Sequence, residues 1–227
     1  MKIELSAPRG WGDLTLDQFR DIAKLMCLQL TREELLIVAF CQLTGVKRLE
    51  RNDFVTSEGI KFTLSDRQVQ DLCDGLKWLL DEIPEHVANP SGADEYLRSM
   101  SFGDYYEADC QMRMYEADRD VKHFDNILPK FGETPRIVED YDATMYLIWW
   151  NSISMMLKDR YPHVFADSVN GSTMRDAFGV LQDIHAMLDD DRPQDDAAID
   201  ETNLHSVFNA LENRIIKAKR DKEGKKR

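Results

Sequence analysis

The chain has 227 residues, of which 43% are hydrophobic, enough to fill a core in one large domain or two small ones and too many for wholesale disorder. Forty-two acidic against 29 basic residues leave a formal charge of -13. Such a balance favours solubility and opposes broad contact with nucleic acid or an anionic membrane.

The opening MKIELSAPRGWGD carries charges at Lys2 and Glu4 and no apolar run, so no secretory signal is expected and the cytoplasm is the expected compartment. Two capping boxes follow, Thr15-Leu-Asp-Gln18 and Thr31-Arg-Glu-Glu34. In each, a hydroxyl accepts a backbone N–H while the side chain three residues on reaches back. The first helix presents Leu16, Phe19, Ala23, Met26, Cys27 and Leu30 at helical spacing; the second presents Leu35, Val38, Ala39 and Leu43 and ends at Gly45. From Phe54 to Leu64 the β-branched and aromatic residues of FVTSEGIKFTL suggest a small hairpin or an extended loop around Ser57-Glu-Gly59.

A third box, Ser65-Asp-Arg-Gln68, opens a helix through Val69, Leu72, Cys73, Leu76 and Leu79 to Leu80, stopping before Pro84. Residues 85–95, with Pro90, Ser91 and Gly92, are either a lobe boundary or a surface loop. Ser101 with Asp104 restarts a helix, Pro129 to Pro135 breaks the next, and a long apolar helix runs from about Glu139 to Arg160 before Tyr161-Pro162. Thr173 with Asp176 caps a further helix. An acidic, proline-broken link over 189–201 leads to a last helix that buries Leu204, Val207, Phe208, Leu211 and Ile215 and passes into a basic tail, 217–227.

The expected fold is therefore mainly α, an irregular bundle of about eight helices with a small β-hairpin near 54–64. Its expected division is an N-terminal lobe, 1–84, and a C-terminal lobe, 95–227, or else one continuous domain. The cysteines at 27, 41, 73 and 110 sit singly in apolar helical patterns and are expected to be reduced core residues rather than zinc ligands.

One stretch governs the functional reading. Ala143 to Leu157, ATMYLIWWNSISMML, holds two adjacent tryptophans, three methionines and no charge. At about 1.5 Å per residue it is too short for a bilayer core of roughly 30 Å, so no membrane span is expected. Trp149 and Trp150 point about 100° apart on a helix, so one face cannot hide both. Either other helices surround this one, or a partner protein covers it, since Trp, Tyr and Met are enriched in binding patches. In the second case the partner-binding residues are Tyr146, Trp149, Trp150, Ile153 and Met156, with Tyr105, Tyr106 and Met112 as a second patch. Polar substitution of both tryptophans would then abolish capture while the fold survives.

Catalytic equipment is sparse. The repeated Tyr106-Glu-Ala-Asp109 and Tyr115-Glu-Ala-Asp118 invite a paired-carboxylate reading, yet nine positions carry the second copy roughly 180° round a helix. They read as solvated or partner-facing carboxylates instead. Asp120-Val-Lys-His123 has the Glu-x-x-His spacing of di-iron bundles without a second copy, so His123 reads as a surface or half-buried structural histidine. No Gly-rich phosphate loop occurs. The expectation is a non-enzymatic protein with no metal, no cofactor and no catalytic residue. Nucleic-acid contact is left only to the basic tail, whose bland reading is a solvated helix end at the negative pole of the helix dipole.

Three segments resemble small helical proteins encoded among tail genes of phages and prophages, the tail assembly chaperone-like proteins. They are Trp11-Gly-Asp-Leu-Thr-Leu-Asp-Gln-Phe19, Ser101-Phe-Gly-Asp-Tyr-Tyr-Glu-Ala-Asp109, and Met145-Tyr-Leu-Ile-Trp-Trp150 with Tyr161-Pro-His-Val-Phe165. The resemblance implies transient, non-enzymatic binding to a tail component, such as the tape measure or tail tube protein, in the host cytoplasm. A virion structural or cargo protein and a carboxylate-metal helical enzyme are the rival expectations, a small regulatory or immunity-type binder is a further alternative, and homo-oligomerisation is compatible with each.

Overall fold

A computed structural model describes residues 5–81, 87, 89–90, 99–165 and 199–224. The fold is mainly α, with eight α-helices and one three-stranded antiparallel sheet among these residues. The helix expected after Thr173, link residues 189–198 and tail residues 225–227 lie outside them. The chain forms two compact units, Met1–Gly92 with Val138–Ile153, and Ala93–Ile137 with Ser154–Arg227. Residues 138–153, which the sequence reading groups with the C-terminal lobe, fall in the first of these units. An uncharged helix joins whichever core its side chains fill, whatever its place in the chain.

In the first unit, α1 (Leu16–Met26) and α2 (Arg32–Thr44) both begin with the expected reciprocal caps, and Gly45 ends α2 at φ 71°, where an L side chain is strained. Their buried faces differ from the expected ones. Cys27 is the exposed C-terminal cap of α1, and Ile22 takes the buried place beside Phe19 and Ala23. On α2 Val38 faces solvent while Leu36, Ile37 and Phe40 turn inward, because the apolar residues of this helix wrap more than one face and neighbours decide which is covered.

The sheet comprises β1 (Lys47–Arg48), β2 (Asp53–Val55) and β3 (Lys61–Thr63). β2 and β3 form the expected hairpin, with Phe54 opposite Phe62 and their rings stacked at 5.6 Å. β1 is an unforeseen edge, too short and too charged to show a strand pattern. The expected third helix is broken into α3 (Asp66–Gly75) and α4 (Trp78–Asp81). The break seats Trp11, whose indole N–H donates to the Trp78 carbonyl at 3.1 Å while its ring meets the edges of Phe19 and Trp78. Met145 completes this core, with Tyr141 and Ile148 packed against it.

The second unit is organised on α5 (Phe102–Asp118), capped by Ser101, and α8 (Leu204–Gly224). A short antiparallel bridge ties their starts together. The Phe102 N–H donates to the Thr202 carbonyl at 2.8 Å and the Leu204 N–H to the Met100 carbonyl at 3.0 Å. After α5 come a 3-10 turn (Val121–His123) and α6 (Phe124–Lys130), which carries Pro129 in its last turn. Helix α7 (Asp140–Arg160) begins in the first unit, ends in the second, and stops at Tyr161-Pro162 as expected. Phe208 on α8 is fully enclosed by the rings of Phe102, Tyr105, Tyr161 and Phe165, at centroid distances of 5.3 to 6.1 Å. Such packing adds about 0.5–1.5 kcal/mol per pair beyond area burial.

Gly103 permits this approach. A Cβ there would stand 2.8 Å from the Asp200 Cβ and 3.2 Å from its carbonyl oxygen. Gly103→Ala should lower unfolding stability by about 1–3 kcal/mol in a urea titration. A neutral outcome would show that the bridge between the starts of α5 and α8 is not tight.

Candidate partner-binding site

The residues singled out for partner contact lie on α5 and α7. From Tyr141 to Lys158 no residue of α7 is exposed, so the helix is covered on every side. Tyr146, Trp149, Trp150 and Ile153 are buried, as are Tyr105 and Met112 on α5; Tyr106 and Met156 are half-buried. Six of the eight are thus interior in this conformation, and the surface patch inferred for them is corrected to core. The Tyr146 and Trp149 rings meet edge-on at 6.4 Å, and Trp149 and Trp150 at 6.1 Å. The two tryptophans point in different directions, as their spacing requires, and surrounding protein covers both.

Polar residues on α7 are accommodated by bonding back to their own helix. Buried Ser152 donates to the Trp149 carbonyl at 2.7 Å, and Thr144 donates to the Asp140 carbonyl at 2.8 Å, so neither leaves an orphaned hydroxyl. Burial, reinforced by the neighbouring Asp109 charge, pushes the Tyr105 phenol well above its usual range, so it stays protonated.

Asp109 departs from expectation. Its carboxylate is buried and accepts from the Arg113 Nε at 2.7 Å, while Asp118 in the second copy of the tetrapeptide is exposed. The opposite orientation of the two copies is as their spacing demands, and the expectation of solvated or partner-facing carboxylates fails at Asp109. An i,i+4 Asp–Arg pair was readable at 109 and 113, and a buried pair of this kind destabilises strongly when one partner is removed. Glu107 and Asp104 meet Lys130 at 2.5 and 3.1 Å, which ties α5 to the last turn of α6. These acids hold Lys130 above the ordinary lysine range, Glu107 most strongly.

His123 is half-buried, its ring bracketed by the Gln111 side chain at 3.0 Å and the Asp118 carboxylate at 2.9 Å. The hydrogen bond from His123 is the main reason the Asp118 carboxyl sits below its usual range. Among the described residues no three His, Cys, Asp or Glu side chains converge closely enough to hold a metal ion. Burial pushes the thiols of Cys41, Cys73 and Cys110 up, so they are poor nucleophiles at neutral pH.

Two polar contacts carried no sequence signal, since their partners lie more than forty positions apart. The Glu212 carboxylate on α8 accepts from the backbone N–H groups of His163 and Val164 at 3.1 and 3.0 Å and from His163 Nδ1 at 2.6 Å. The Tyr161 hydroxyl lies 2.9 Å from His205 Nδ1. Burial lowers the His205 pKa, with Arg160 nearby adding to the effect, and burial raises that of Tyr161, so a neutral imidazole faces a protonated phenol.

No helix among the described residues is long and apolar enough to cross a membrane. Comparison with protein-family models, with curated proteins and with solved structures found no match.

Two outcomes follow. Trp150→Ala removes a fully enclosed indole and should cost about 3–5 kcal/mol in denaturant unfolding, where a surface ring would cost almost nothing. His205 has a folded pKa below its ordinary 6.5, so its contribution is fully present above that pH and is lost as pH falls toward the folded value. His205→Asn keeps an acceptor and removes the titration. The wild-type stability advantage over this variant should therefore shrink between about pH 7 and pH 5, and a constant difference would refute the neutral-imidazole assignment.

Proposed function

We propose that this chain is a non-enzymatic, protein-binding component of phage or prophage tail assembly, similar to the tail assembly chaperone-like proteins. It holds a tape measure or tail tube component transiently in the host cytoplasm. The observation that supports this best is that Tyr106 and Met156, unlike the other six candidate residues, are half-buried and so keep side-chain surface for a partner. Both belong to the second unit. Tyr offers an apolar body with a polar tip, and unbranched Met adapts to irregular surfaces, which suits brief capture of another polypeptide. The buried side chains of Tyr146, Trp149, Trp150 and Ile153 serve as core rather than as contact residues. Polar substitution of both tryptophans therefore tests folding rather than binding.

Co-expression with the tail tube and tape measure proteins of the same genome tests the reading. The wild-type chain should co-purify with one of them and be absent from finished virions. The double variant Tyr106→Ser/Met156→Gln should bind at least about tenfold more weakly with unchanged thermal unfolding. Failure of the wild type to bind either protein would overturn the proposal, and its presence in purified virions would make it a structural or cargo component instead.

A further inference from the structure

Helix α8 divides into two halves of different character. Up to Leu211 it buries Leu204, Val207, Phe208 and Leu211, and Glu212 then fixes it to the turn at His163-Val164. Beyond Glu212 no side chain described is buried. Ile215 and Ile216 are half-buried, while Lys217, Lys219 and Arg220 are exposed and belong to no ion pair among the described residues. From Leu211 to Gly224 the helix runs on for about 20 Å at 1.5 Å per residue.

Charge separates at the same place. Through Asn213 the chain carries 21 basic and 40 acidic residues, a formal -19, and from Arg214 onward eight basic and two acidic, a formal +6. We propose that the distal half of α8 is a docking arm for the acidic surface of a second copy of this chain, each arm of a two-fold pair lying on the other body. The inference is independent of the tail-assembly reading.

Three features favour a second copy over nucleic acid. A polyanion lying along the arm would also run beside a body of formal charge -19, whereas a second copy presents that acidic charge as its complement. The arm has no aromatic residue from Arg214 to Arg227 on which a base could stack. Ile215 and Ile216 give it an apolar edge suited to protein rather than phosphate. Reciprocal docking closes the assembly as an isologous dimer and leaves no unsatisfied arm to propagate a filament.

Sedimentation velocity of the full chain at about 0.03 M and 0.5 M salt reads this directly, because screening shortens the reach of exposed charges from about 17 Å to about 4 Å. The wild type should dimerise at low salt and dissociate at high salt. Lys217→Glu/Arg220→Glu should weaken dimerisation at least about tenfold at low salt with unchanged thermal unfolding, since both side chains are exposed. Lys61→Glu/Arg67→Glu makes the same change of net charge at exposed positions of the other unit and should leave the dimer intact. A wild type that stays monomeric at low salt overturns the proposal. So does an equal loss in the control variant, or a duplex DNA probe that dissolves the dimer by binding the arm.

Discussion

The structure depends on hiding a helix that has no polar side. Between Ala143 and Leu157, α7 offers water nothing but a carboxamide and a few hydroxyls, and it does so in a chain where 31% of residues are charged. Burial on one face would leave a tryptophan in water, since Trp149 and Trp150 diverge by about 100°. Covering the helix all round resolves this, and residues of α7 accordingly contribute to both compact units. The Ser152 and Thr144 hydroxyls bond to carbonyls of their own helix and so need nothing from their neighbours. An enclosed helix can then carry polar side chains without the penalty of unsatisfied donors.

Signals confined to three or four residues were legible in the sequence. Thr15, Thr31, Ser65 and Ser101 each cap the helix they were read to cap, because the bond runs between a side chain and a backbone amide three positions away. The end of α7 was legible because Pro162 cannot continue a helix. The buried face of a helix was less so, because it is a property of its neighbours. Val38 and Cys27 were placed inward by spacing and are exposed, while Ile37 and Ile22 fill the interior. Asp109 shows the same limit in reverse, since nothing in a repeated tetrapeptide tells which copy will be turned inward. For the candidate site, the sequence established that the rings must be covered; that the chain itself covers them is a tertiary fact.

The ends of helices α7 and α8 show how an acidic chain uses charge where apolar packing stops. At the turn after α7, Glu212 accepts from two backbone amides and a histidine and so fixes the turn to α8. Past that point the apolar stripe of α8 thins to Ile215 and Ile216, and an isolated helix as short as the remainder would be marginal in water. Two things keep it helical. The buried first half supplies the nucleus, so each further residue adds a hydrogen bond without another nucleation cost. Lys217, Lys219 and Arg220 also lie toward the end where the free carbonyls carry partial negative charge, which they oppose. The positive residues that stabilise the exposed half are those that set it apart from the acidic body, so a single local choice of side chains fixes both the helix and its attraction to negative surfaces.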